Sequence, residues 1–214
     1  MQIAVICETS AADRNADILR ALEGRGHTIH NAGMTRTGDD PALSYIHTGF
    51  LTALLLNTKR VDLVVGGCGT GQGYLNACMQ YPNVFCGLIQ GPLDAWLFRQ
   101  INAGNCLSLA LHKGYGWASD IDLRFIFDHY FSVEQGKGYP DHRAEPQRAS
   151  RDLLSRITRT AHQPLHAIVR ELDDDVVVSA LTYPGIAELL NIDALEEADL
   201  REALRARMPK GAGS

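Results

Sequence analysis

The sequence has no surplus of positive charge, no CxxC pair, no GK[ST] tripeptide and no apolar run of membrane-spanning length. Its formal net charge is −5 over 214 residues. That argues against a broad basic surface, and so against nucleic acid as a partner. The longest apolar stretch, around Leu51 to Leu56, is far short of the ~20 residues a membrane helix needs, so no membrane partner is expected. Met1-Gln2 runs straight into Ile3-Ala4-Val5-Ile6-Cys7 and Glu8 closes the run, too short for a signal-peptide core and without basic residues before it, so no targeting signal is expected. The five cysteines are odd in number and sit mostly in apolar runs, so a reduced cytoplasmic protein is expected rather than a disulfide framework. Without paired cysteines, and with histidines read as scattered, no metal is expected. Asp173-Asp174-Asp175 cannot all point at one ion and reads as a polar turn or helix cap.

What is present is an ordinary globular composition, 45% hydrophobic and 21% charged, in a chain long enough to bury a sizeable core. Short apolar runs alternate with amphipathic ones. Strands are expected at Ile3–Cys7, His27–Asn31, Val61–Val65, Val84–Ile89 and Cys106–Leu109. Helices are expected at Ala11–Arg25 (capped by Ser10), Pro41–Lys59, Gln72–Met79, Pro92–Ala103 and Ala118–Phe131. The central strands are continuous apolar runs, as in a parallel sheet covered on both faces. The expected fold is α/β, a Rossmann-like doubly wound parallel sheet of about five strands over residues 1–150. A helical extension follows over 151–214, with helices at 148–161, 164–172 and within 183–208 and a frayed tail at 210–214. Ligands of such sheets bind beyond the carboxyl ends of the strands.

The chemistry-bearing feature is Gly66-Gly67-Cys68-Gly69-Thr70-Gly71-Gln72-Gly73, between a strand and a helix. Glycines let the backbone turn sharply and aim several N–H groups at one point, and the helix start adds positive potential. A nest of this kind suits a phosphate, a carboxylate or an enediolate oxygen. It does not match GxGxxG, and it follows the third strand rather than the first, so no dinucleotide cofactor is expected. A plain tight connection is the competing reading. Cys68 stands inside the nest, where positive surroundings favour a thiolate, and Thr70 adds a hydroxyl two residues on. A base beside oxyanion donors is what proton abstraction next to a carbonyl requires. Glu8 ends the first strand on the ligand side. His112 and Lys113 end the fifth strand, where they either face the same crevice or are solvated loop residues.

The run Val64-Val65-Gly66-Gly67-Cys68-Gly69-Thr70-Gly71, together with Arg99-Gln100-Ile101-Asn102-Ala103-Gly104-Asn105-Cys106-Leu107-Ser108-Leu109, resembles the ribose-5-phosphate isomerase B / galactose-6-phosphate isomerase family over roughly residues 1–150. The resemblance implies a homodimer or dimer of dimers, active sites shared between two chains, no metal and no cofactor. It implies that Cys68 is the base, Thr70 the ring-opening hydroxyl, and Gly69, Gly71 and Asn102 the groups around the enediolate. Gly73 and Glu8 join them as expected substrate contacts, with Arg143 and Arg148 as candidates for the family's basic end. Two departures stand out. Glu8-Thr9 replaces an Asp-His pair after the first strand, and Ile101 replaces a histidine that helps to open a furanose or to handle the phosphate. Tyr81-Pro82, Gly114-Tyr115-Gly116-Trp117 and the extension are similar to a longer subgroup that includes isomerases of a 4-deoxy-5-keto-hexuronate.

Three functions follow as expectations. One is an aldose–ketose isomerase of a sugar phosphate, of the ribose 5-phosphate or galactose 6-phosphate class, using Cys-mediated proton transfer through an enediolate. Another is an isomerase of an open-chain 4-deoxy-5-keto-hexuronate. The third is a non-catalytic sugar-acid binder that kept the nest. The extension is expected to shape or cover the site without moving protons.

Overall fold

The computed structural model describes residues 1–209; the tail expected to fray lies outside them. Five strands, β1 (Gln2–Cys7), β2 (Thr28–Asn31), β3 (Leu63–Cys68), β4 (Cys86–Ile89) and β5 (Cys106–Ala110), form one sheet in the order β2-β1-β3-β5-β4. All four pairings are parallel. Alternate residues face opposite sides, so each apolar strand feeds two cores. Ile3, Val5, Leu63, Val65 and Leu107 pack under α1 (Asn15–Leu22), and so do residues of two helices introduced below. Ala4, Ile6, Val64 and Cys106 pack under α2 (Tyr45–Asn57) and α3 (Gln72–Cys78). The expected three-layer α/β architecture is the observed one.

Several boundaries differ from the sequence expectation for local reasons. The strand expected to end at Val65 continues through Gly66-Gly67-Cys68. These glycines lie within the sheet: a Cβ on Gly67 would stand 2.2 Å from the Leu109 carbonyl oxygen, and one on Gly66 would stand 2.4 Å from the Tyr74 ring. The first helix is split, with a 3-10 turn at Ala12–Arg14 before α1. Ser10 does not cap it, because its hydroxyl is used elsewhere. The helix expected over Pro92–Ala103 is α4 (Pro92–Leu97) followed by a π-helical turn, Phe98–Asn102, closed by Ala103 N–H donating to the Phe98 carbonyl at 2.9 Å. α5 (Ser119–Phe131) joins α1 and α4 on their face of the sheet.

The extension begins within a long helix, α6 (Ala144–Ala161), which crosses residue 150. It continues through α7 (Leu165–Glu171), α8 (Asp174–Leu181), α9 (Ile186–Leu190) and α10 (Ala198–Arg207). Leu165, Val169, Val177, Leu181, Leu200 and Leu204 share one continuous core with α2, α3 and the sheet. α8 was not anticipated as a helix: Asp174 and Asp175 occupy its first turn, where acids complement the helix dipole. Tyr183 reaches Met34 and Leu43, a small cluster behind the end of β1.

Candidate active site

The strand order reverses between β1 and β3, and the crevice outside their carboxyl ends is where an open parallel sheet binds ligands. Glu8 follows β1, and Cys68 ends β3 beside it: Ile6 and Cys7 pair with Gly66 and Gly67. The register also sets Cys68 opposite Ala110, so the residues after β5 close the far wall. His112 and Lys113 N–H both donate to the Gly69 carbonyl, at 3.0 and 2.8 Å, and His112 Cβ would stand 3.7 Å from a Cβ on Gly69. His112 is thus brought to the loop. Tyr45, the first residue of α2, leans over Gly73 from the opposite side.

Cys68 is 7% exposed, which leaves its thiol reachable only from the crevice. Its Sγ lies 3.9 Å from Thr70 Oγ1, and Thr70 is exposed. The nest is narrower than the glycine count implied. Gly71 N–H folds back onto the Cys68 carbonyl at 3.2 Å, Gln72 N–H is capped by Thr70 Oγ1 at 3.3 Å, and Gly69 N–H donates to Ser10 Oγ at 3.1 Å. The N–H groups of Thr70 and Gly73 make no hydrogen bond among the described residues, and both residues reach the surface; they are the donors open to an oxyanion. Gly71 has a φ of +75°, and a Cβ there would stand 2.6 Å from Leu88 Cδ1. Its role is the sharp turn, not a donated N–H.

Glu8 is 3% exposed. Its carboxylate accepts the Ser10 N–H at 3.0 Å and the Ser10 hydroxyl. A hydrogen-bond chain therefore runs from the Gly69 amide through Ser10 to Glu8 and ties the Cys68 loop to the end of β1. Sequence reading singled out Glu8 but missed Ser10, because a serine after a strand reads first as a helix cap. Cys7 precedes Glu8 yet faces the other core, and burial pushes its thiol up to about 12, against a smaller opposing hydrogen bond from Asn15. It offers no competing base.

Asn102, Arg143 and Arg148 are not brought to this crevice within one chain. Asn102 ends the π-helical turn four residues before β5, at the amino edge of the sheet, whereas Cys68 ends β3 at the carboxyl edge. Asn102 lines a cavity of about 330 Å³ with Ile101, Cys86, Gln147 and Arg151. Arg143 precedes α6 and Arg148 lies on it, and both are exposed with no ion pair or side-chain hydrogen bond among the described residues. Sequence reading also missed Arg151. Its guanidinium donates to the Ile101 and Gly136 carbonyls at 2.8 and 2.9 Å and fixes α6 against the π turn. Two groups of candidate residues thus stand apart in one chain: Cys68 with free N–H groups at one edge, Asn102 and the arginines at the other.

The histidines need one correction. His162 and His166 stand four residues apart, a ligand-like spacing that the sequence reading passed over. Pro164 breaks the helix between them, and His162 turns to Thr158 while His166 faces Glu197. No histidine belongs to a metal-ligand cluster among the described residues. No helix of those residues is long and apolar enough to cross a membrane.

The comparisons agree with this architecture. Residues 3–141 match the family model described as Ribose/Galactose Isomerase. The chain is similar to a 4-deoxy-L-threo-5-hexosulose-uronate ketol-isomerase crystallised with a tartrate, at 35% identity and a TM-score of 0.90, over 97% of this chain and 99% of that one. It is similar to a ribose-5-phosphate isomerase from Vibrio parahaemolyticus at 38% identity and a TM-score of 0.91, with the same coverage. A shorter ribose 5-phosphate isomerase from Thermotoga maritima, 22% identical over 68% of this chain and 96% of its own, shares the fold at a TM-score of 0.56. No curated protein sequence matches the chain significantly. With both sequence motifs inside the matched region and two full-length relatives above 30% identity, the chain belongs to the ribose/galactose isomerase family.

Proposed function

We propose that the protein interconverts an aldose and a ketose by moving a proton between C1 and C2, with Cys68 as the base, and that its substrate is an open-chain 4-deoxy-5-keto-hexuronate. The observation that carries the chemistry is the placement of Cys68 at a strand end, 3.9 Å from Thr70 Oγ1, beside N–H groups that bind nothing among the described residues. The thiolate takes the proton from C2, and the electron pair forms the C1–C2 double bond while the C1 carbonyl oxygen becomes an oxyanion. The N–H groups of Thr70 and Gly73 are the donors for that charge. The O2 hydroxyl proton passes to O1, and the new thiol returns its proton to C1. Thr70 and the loop glycines Gly69, Gly71 and Gly73 frame the reacting carbons, and Glu8 positions the loop through Ser10.

The choice of substrate rests on the departures from the family pattern. Ile101 is apolar and Glu8-Thr9 provides no histidine, so the histidine that helps to open a furanose is missing although the Thr70 hydroxyl is kept; an open chain needs neither. A full-length relative named as a hexuronate ketol-isomerase supports the same reading. The full-length relative named as a ribose-5-phosphate isomerase supports the sugar-phosphate reading, for which Arg143 and Arg148 are the phosphate contacts.

The family pattern sets Asn102 beside the enediolate and Arg143 and Arg148 at the substrate's anionic end; one chain holds them away from Cys68, so on this proposal a second copy supplies them. A homodimer, or a dimer of dimers, with sites shared across the interface satisfies this. α6 supports it: an 18-residue helix that buries only Thr158 exposes Leu153, Leu154 and Ile157 at 49% each. Free thiols at all five cysteines suit a reducing, cytoplasmic setting.

The test is turnover and solvent-deuterium exchange with the keto-uronate, ribose 5-phosphate and galactose 6-phosphate in parallel. Exchange and ketose formation with the keto-uronate at kcat/KM at least tenfold above either phosphate is the expected result. Preference for a phosphate reverses the substrate assignment. Binding of the sugar acid with no exchange points instead to a non-catalytic binder.

A further inference from the structure

Three cysteines far apart in sequence meet in the core beneath the site. Cys78 closes α3, Cys86 opens β4 and Cys106 opens β5. Their sulfur atoms all lie within 4.8 Å of one another. Cys86 and Cys106 are direct register partners on adjacent strands, and α3 lays Cys78 across them. Cys78 and Cys106 are fully buried, while Cys86 is half-buried and lines the 330 Å³ cavity, which opens to solvent. Met79 lines the same cavity, and its sulfur accepts the Cys86 N–H at 3.4 Å. The route inward is therefore bordered by sulfur.

We propose that Cys78, Cys86 and Cys106 form a binding site for one divalent thiophilic cation of the Zn²⁺/Cd²⁺ class. Three sulfurs bound at the ~2.3 Å of a zinc–thiolate bond in a trigonal plane stand about 4.0 Å apart. The observed cluster needs a contraction of less than about 1 Å per pair to reach that geometry. All-sulfur donor sets favour such ions over Mg²⁺ or Ca²⁺, which take oxygen. The surroundings hold one sulfur in place. The Cys106 thiol donates to the Tyr74 hydroxyl at 3.7 Å, Tyr74 meets Thr52 Oγ1 at 2.6 Å, and Thr52 donates to the Thr48 carbonyl at 2.8 Å. Each hydroxyl in that line gives one hydrogen and accepts one, so Cys106 is oriented before any ion arrives. The Tyr74 oxygen is the nearest candidate for a fourth ligand.

Metal-bound cysteine is thiolate, so three sulfurs around a divalent ion leave one net negative charge in the site, and binding releases three protons to solvent. The ion would tie α3 to β4 and β5. The helix so fixed is the one that opens at the Cys68 loop, so the site would brace the catalytic loop from below without touching substrate. Spacing could not reveal this cluster, since it joins residues 78, 86 and 106 through the fold.

The test is titration of the full-length, reduced and chelator-treated protein with Cd²⁺, read by ultraviolet thiolate-to-cadmium charge transfer and by metal analysis after desalting. One Cd²⁺ per chain is expected, with affinity rising with pH, the same band displaced by Zn²⁺, and a raised melting temperature. Cys86→Ser, at a half-buried position, should weaken binding at least tenfold, whereas Cys68→Ser and Cys7→Ser should leave it intact. A cadmium NMR shift in the range of sulfur ligation on the unaltered protein provides a readout that needs no variant. No charge-transfer band, an oxygen-type shift, or a band that survives Cys86→Ser and disappears in Cys68→Ser would overturn the proposal.

Discussion

Ser10 accepts the amide hydrogen of Gly69 on its hydroxyl oxygen, at 3.1 Å. That contact spans 59 residues and joins the ends of two neighbouring strands. The hydroxyl's own hydrogen goes to Glu8, so neither end of the link is free to turn. Ser10→Ala leaves the Glu8 carboxylate with one fewer donor and frees the Gly69 amide. A loss of about 1–3 kcal/mol in stability is expected, with a fall in kcat larger than any rise in KM. Thermal melts and steady-state kinetics check both. Full activity with an unchanged melt would mean that the link positions nothing.

Cys68→Ala should lower turnover by roughly 10²–10⁴, the usual contribution of a positioned acid–base group, and should abolish solvent-deuterium incorporation while substrate still binds. Cys7→Ala should retain exchange, since that thiol faces the other core and burial pushes it up to about 12. Calorimetry and exchange measurements separate binding from chemistry. Undiminished exchange in Cys68→Ala would move the base elsewhere, with Glu8 next to be tried.

Shared sites predict rescue by mixing. Cys68→Ala and Asn102→Ala homodimers should each be nearly inactive. After co-refolding in equal amounts, half of the dimers are mixed, each mixed dimer has one intact site, and about a quarter of wild-type activity returns. If mixing restores nothing, Asn102 does not serve a neighbour's Cys68.

The glycines separate by location. Gly67→Ala places a Cβ 2.2 Å from the Leu109 carbonyl oxygen and forces β3 and β5 apart; about 3 kcal/mol or more of destabilisation is expected. Gly24 has a φ of +74° but nothing within 4 Å of its Cβ position, so Gly24→Ala should cost only the ~1–2 kcal/mol of left-handed strain. Chemical denaturation of the two variants tests the ordering.

His27 gives a pH dependence. Desolvation, followed by the charge of the amino terminus, lowers its pKa below the ordinary 6.5. Its ring packs on Phe131 at 4.5 Å, and its Nε2 is buried without a partner among the described residues. The folded state therefore binds the proton less readily than the unfolded state. The associated stability is present above pH 6.5 and declines as pH falls through the lowered folded value. His27→Phe should narrow the gap in melting temperature between pH 7.5 and about pH 5.5; an unchanged gap would place the acid sensitivity in other groups.

Much of this was readable because single segments carried it. The runs Ile3–Cys7 and Cys106–Leu109 are apolar at every position but Ser108, which is the mark of a strand buried on both faces, and they appear in the sheet within a residue. Cys68 and Thr70 sit in one short motif, so their proximity needed no fold. What stayed hidden joins distant segments. Ser10 to Gly69, Arg151 to Ile101 and the three meeting cysteines each depend on the packing of separate elements. Gly66 and Gly67 misled for another reason: glycine normally ends strands, but here the neighbouring backbone and the Tyr74 ring leave no space for a side chain.

The π-helical turn at Phe98–Asn102 has a bearing on how this chain tolerates change in length. A π turn is an α turn holding one surplus residue. Removing a single residue from 98–102 would let the turn tighten to its ordinary pitch, with each α step turning about 100°, so the lost residue would be nearly compensated and the amide would shift only slightly around the axis. Point substitutions along that turn keep the count and so the aim. A one-residue deletion is therefore an inherited change that this segment can absorb by reverting to an ordinary α turn.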